Sequence, residues 1–196
     1  VYKIPVENVY PGMDVELICK EIISENEGIS LDTFTDLVNE LPFYNGAEEF
    51  FLNFKNKYGN NMFIVSSSFE PIAQGIANKL GIPLENVIAT KLREENEKIT
   101  EFIGPVMEAE NKATAVQELA EKNNLKLKNC VGVGDGKHDH FFIRAITDSG
   151  GLGIAVSKDE TLVTNSKAQI VMPTPDYNKI STAINNFAEK LASKEQ

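Results

Sequence analysis

The chain has 196 residues, 42% of them hydrophobic, enough for one sizeable domain or one domain with a small insert. A formal net charge of -10 and the lack of any basic run argue against nucleic acid or an anionic membrane surface as a partner. No apolar run approaches the roughly 20 residues that cross a bilayer, no signal peptide is visible, and a cytoplasmic location is expected.

Residues 1–10 offer a possible first strand, Val1-Tyr2-Lys3-Ile4. Residues 11–44 read as a small helical cap with helices at 15–24 and 31–41. The second carries Leu31, Phe34, Leu37, Val38 and Leu41 at helical spacing, with Ser30 as N-cap. From residue 45 to 196 helices and strands alternate. A helix at 47–58 stacks Phe50, Phe51 and Phe54 and stops at Gly59. A strand at 62–65 runs into Ser66-Ser67-Ser68, and a helix with Ile72, Ile76 and Leu80 follows, ending near Gly81.

Another strand is expected at 86–90, then a polar hairpin over 91–102 with Glu94-Glu95-Asn96-Glu97 at its tip. A helix at 111–123 presents Ala113, Val116, Leu119 and Ala120, and a strand at 130–133 leads to a helix through Phe141 and Ile146. Gly150-Gly151 opens a strand at 152–156, followed by a short helix at 160–165 and a strand at 168–172. The chain closes on an amphipathic helix with Ile180, Ile184, Phe187 and Leu191 on one face. Short apolar strands between amphipathic helices predict an α/β fold, a Rossmann-like parallel sheet with helices on both faces. Cys19 and Cys130 stand far apart among apolar neighbours and read as reduced core residues.

In such sheets ligands gather at the carboxyl ends of the strands. Ser66 ends one strand, and Ser67 and Ser68 open the next loop, where hydroxyls and N–H groups bind a phosphate or simply cap the following helix. Lys112 begins a helix, the unfavourable end for a cation, which makes sense opposite an anion; an exposed surface lysine is the plainer reading. Asp135 and Asp139 follow a buried strand in Gly134-Asp135-Gly136-Lys137-His138-Asp139. Their hard oxygens suit Mg²⁺ shared with a phosphate, and the alternative is an aspartate cap. His138 and His140 flank Asp139, but no cysteine or third histidine nearby completes a zinc set.

Taken in order, these elements resemble the haloacid dehalogenase superfamily, nearest its phosphoserine-phosphatase-like branch. Phe63-Ile64-Val65-Ser66-Ser67-Ser68-Phe69-Glu70 resembles the second motif, Lys112 within Asn111-Lys112-Ala113 the third, and Gly134-Asp135-Gly136-Lys137-His138-Asp139 the fourth, with His138 where the family has Asn. The resemblance implies a Mg²⁺-dependent phosphomonoesterase acting on a small phosphorylated molecule. Ser66, Lys112 and Asp135 would be catalytic, Ser66, Ser67 and Lys112 would bind phosphate, and Asp135 and Asp139 would serve the metal. A cap bearing Phe34 and Leu41, with Phe43 close by, would shield the site.

The family's first motif is Asp-x-Asp-x-Thr/Val, with an attacking aspartate and an acid/base aspartate. On that pattern Pro5 stands at the nucleophile position and Glu7 at the acid/base position, with Asp14 an outside candidate. The first motif then lies upstream of Val1, or the chain is a non-catalytic relative that binds a phosphorylated ligand or partner.

Overall fold

The computed structural model describes Ser30, Phe34, Val38, Asn39 and residues 41–194. The expected strand at 1–10, the helix at 15–24, Pro5, Glu7, Asp14 and Cys19 lie outside the described residues. In chain order the elements are α1 (Ala47–Tyr58), β1 (Ile64–Phe69), α2 (Glu70–Leu80), β2 (Val87–Glu95), β3 (Lys98–Ile103) and α3 (Ala109–Lys122). There follow β4 (Val131–Gly134), α4 (His140–Asp148), β5 (Leu152–Val156), α5 (Glu160–Ser166), β6 (Ile170–Met172) and α6 (Tyr177–Ala192). The described residues divide into two compact units, one built around Phe63–Met107 and one from Phe43–Met62 with the chain from Glu108 onward.

In the first unit β1 and β2 run parallel, pairing Ile64 with Val87 and Ser66 with Ala89. The pairing then jumps, so that Phe69 faces Thr90 and Ser67 and Ser68 bulge out of the ladder. The strand therefore continues through the serines to Phe69, where the sequence predicted a loop. β2 also runs past residue 90, because it continues directly into the expected hairpin with β3. The chain reverses through Asn96 and Glu97, both at positive φ (53° and 62°), the backbone that suits a two-residue hairpin turn. Phe34, Phe69, Ile99 and Val106 form the core, with Phe34 set edge-on to Phe69 at 5.8 Å. Phe34 is thus part of this unit's packed core. α2 starts with Pro71 in its first turn and ends at Gly81 in the left-handed conformation, where the Ile82 N–H closes onto the Ala77 carbonyl.

The second unit is a parallel sheet in the order β4-β5-β6. Side chains alternate across β5. Leu152 and Ile154 meet Ile180 and Ile184 of α6 and Phe50, Phe54 and Tyr58 of α1, whereas Ala155 meets Phe142, Ile143 and Ile146 of α4 and Leu162 of α5. Helices therefore cover both faces. Ile143, Ile154 and Leu162 are each 0% exposed, and burial of each contributes roughly 1.5–3 kcal/mol. α4 lies directly on the sheet because Gly153 has no side chain: a Cβ there would come within 2.8 Å of Ile143 Cγ2.

β6 starts two residues later than predicted because Ser166 Oγ takes the Ala168 N–H, and the Gln169 side chain bridges Gly151 O and Gly153 N. Asp159 and Asp176 cap α5 and α6 by accepting the Leu162 and Lys179 N–H groups. Cys130 is a free thiol, half-buried beneath α4, and burial pushes its pKa up.

Candidate functional site

The turn after β4 is organised by one buried carboxylate. Asp139 Oδ1 accepts from Lys112 Nζ at 2.5 Å, and Oδ2 accepts the backbone N–H groups of Asp135 and Gly136, each at 2.9 Å. Three donors thus converge on a side chain that is 7% exposed, and the lysine beside it is 9% exposed. Burying either charge alone would cost several kcal/mol. The pair is tolerated because each partner answers the other.

Sequence places these groups by helical and turn geometry. Lys112 heads the buried stripe of α3, followed by Ala115 and Leu119, so the helix turns it inward with its apolar face. The plain reading of Lys112 as a surface residue does not hold; its burial answers the unfavourable helix dipole through Asp139. Gly134 makes room for the carboxylate, since a Cβ at that position would stand 2.6 Å from Asp139 Cβ.

Asp135 differs from Asp139 in every respect. It is exposed, and among the described residues its carboxylate has no hydrogen bond or ion pair. The turn uses its backbone N–H and leaves its side chain free. His138 is half-buried on the intervening 3-10 turn. His140 engages the Lys137 carbonyl through Nδ1 at 2.6 Å and stacks its ring on Phe141. Among the described residues no three His, Cys, Asp or Glu side chains group as a metal site.

Ser66 and Ser67 belong to the first unit, half-buried at the β1 bulge. They do not cap α2: its N-cap is Phe69, with no side-chain hydrogen bond. Instead Ser66 Oγ accepts the Ser68 N–H at 3.1 Å. Because that oxygen accepts, its own proton is free to be donated elsewhere. Sequence reasoning missed Thr90, whose hydroxyl bonds to Ser67 O. A polar residue at the end of the apolar run Val87-Ile88-Ala89 was the signal for it.

A family model described as haloacid dehalogenase-like hydrolase matches residues 15–144. A phosphoserine phosphatase of Campylobacter jejuni subsp. doylei is 31% identical over 163 residues, covering 83% of this chain and 74% of its own length. A phosphoserine phosphatase of Lactococcus lactis subsp. lactis is 28% identical over 189 residues, covering 94% of this chain and 82% of its own. One from Archaeoglobus fulgidus is 29% identical over 77% of this chain, which spans only 43% of that relative's length. Among solved structures, a substrate-bound phosphoserine phosphatase complex superposes with a TM-score of 0.71 at 22% identity, over 93% of this chain and 83% of that one, and shows the same fold. The chain belongs to the haloacid dehalogenase-like hydrolases, in their phosphoserine-phosphatase-like branch.

Proposed function

We propose that this chain is a Mg²⁺-dependent phosphomonoester hydrolase acting on a small phosphorylated metabolite, with phosphoserine as the first substrate to try. One observation carries the reading: at a single turn, one aspartate is buried and fully engaged, while the other is exposed and, among the described residues, unpaired. Mg²⁺ binds through one or two carboxylates and fills its octahedron with waters and phosphate oxygens. The donor set fits that pattern, with Asp135 as the ligand. Bound there, Mg²⁺ supplies charge neutralisation at the phosphoryl oxygens.

Of the chain's described residues, those at this turn and at the β1 bulge bind and orient the phosphoryl group; the attacking aspartate of the family's first motif is not among them. Asp139 holds the turn in shape and aims the Lys112 ammonium. Lys112 offers its ammonium to phosphoryl oxygens at the turn, and the hydroxyls of Ser66 and Ser67 are further phosphate donors, each favouring developing negative charge. Relatives named phosphoserine phosphatase support the substrate class.

The test is hydrolysis of 4-nitrophenyl phosphate and of phosphoserine by the full-length chain, with and without Mg²⁺. Mg²⁺-dependent release of phosphate, abolished in Asp135→Ala, is the expected result. A folded full-length chain that binds phosphate without turnover would instead be a non-catalytic phosphate-binding relative.

A further inference from the structure

Thr90 is 0% exposed, and its hydroxyl uses both of its capacities. Oγ1 accepts the Met107 N–H at 3.1 Å and donates to the Ser67 carbonyl at 3.1 Å. A valine would fill the same volume and suits a strand equally well. The neighbouring apolar contacts, Phe69 and Val106 in one cluster, already hold these segments together. What the hydroxyl adds is direction.

The Ser67 carbonyl and the Ser68 N–H are the two ends of one planar peptide unit. Thr90 fixes the carbonyl end, and the other end donates to Ser66 Oγ. A chain of one polarity results: Met107 N–H to Thr90 Oγ1, Thr90 O–H to Ser67 O, and Ser68 N–H to Ser66 Oγ. Each donor in such a chain polarises the next. With its oxygen occupied as acceptor, Ser66 has its proton left to give.

We propose that Thr90 is a positioning residue for phosphate binding: through the Ser67–Ser68 peptide it sets the Ser66 hydroxyl to donate to a phosphoryl oxygen. The proposal rests on the phosphatase reading. It also accounts for the bulge, since Thr90 faces Phe69 at the point where the β1 ladder jumps past Ser67 and Ser68. Without the hydroxyl, the Ser67–Ser68 peptide is free to rotate, and Ser66 can turn its proton away from a ligand.

The experiment compares Thr90→Val, Thr90→Ser, Ser66→Ala and the double variant in the full-length chain. KM for 4-nitrophenyl phosphate and the inhibition constant of inorganic phosphate are read alongside thermal unfolding. Loss of one hydrogen bond to a charged ligand corresponds to about a tenfold change. Thr90→Val should raise both constants about tenfold, Thr90→Ser should restore them to within about threefold, and the double variant should be no worse than Ser66→Ala. That last result separates positioning from general support of the fold.

An active parent whose KM is unchanged by Thr90→Val, whatever happens to its stability, overturns the proposal and leaves the phosphatase reading intact. Effects of the two substitutions that multiply overturn it as well. A parent that neither hydrolyses aryl phosphate nor binds inorganic phosphate overturns the phosphatase reading, and the proposal with it.

Discussion

The turn after β4 and the bulge in the last part of β1 solve the same problem with different chemistry. Each must hold a polar loop in place at the carboxyl end of a strand. At the turn, a buried carboxylate gathers an ammonium and two backbone N–H groups. At the bulge, a neutral buried hydroxyl fixes a single peptide. The charged anchor is far costlier to break, because whatever remains is a buried unpaired charge. The neutral anchor yields gradually. The contrast predicts a graded series of effects.

The largest effect belongs to Asp139→Asn, which leaves the Lys112 ammonium buried without a counter-charge. A destabilisation of about 3–5 kcal/mol is expected in urea unfolding. Gly134→Ala comes next. Its methyl group would press on Asp139 at the 2.6 Å approach and cost about 1–3 kcal/mol, with phosphatase activity falling in parallel. A parent-like stability for this variant would show that the turn has slack and that the anchor is looser than described.

At the bulge, Thr90→Val should cost about 1–3 kcal/mol, because the Met107 N–H and the Ser67 carbonyl lose their partner. If it costs as much as Asp139→Asn, the distinction between charged and neutral anchors fails.

The smallest effect serves as a control for burial. Asp148 pairs with Lys167 at 2.6 Å, but in the open, and the hydrogen bond from Lys167 holds its carboxyl below the usual carboxylate range. A depressed folded-state pKa contributes stability that is present above the unfolded value and lost as pH falls through the folded one. The small difference between Asp148→Asn and the parent should therefore be seen near neutral pH and fade as pH drops below the ordinary carboxylate value of about 4. It should stay well below that of Asp139→Asn, since exposed pairs are screened by solvent.

The scaffold was largely legible in the sequence, because hydrophobic period and stop residues act locally. α1, with Gly59 after it, and β5, after Gly150-Gly151, have the bounds read from the sequence. Two features at the site were not legible, and both depend on distant partners. The burial of Lys112 depends on a carboxylate 27 positions away. The bulge at Ser67 depends on a hydroxyl 23 positions away. Neither partner leaves a mark in the local pattern of a serine-rich strand end or a polar helix start. Phe34 shows the converse, since a cap residue and a core residue have the same spacing in sequence.

The most direct measurement is a paired comparison of Asp135→Asn and Asp139→Asn, scoring thermal unfolding and Mg²⁺-dependent hydrolysis in each full-length variant. Asp135→Asn should unfold at the parent's temperature and lose Mg²⁺-dependent turnover. Asp139→Asn should unfold lower by about 6–12 °C, the shift expected for roughly 3 kcal/mol in a chain of this size. Equal destabilisation by both variants, or an Asp135→Asn variant that still hydrolyses phosphate with Mg²⁺ like the parent, would contradict the division of labour between the two aspartates.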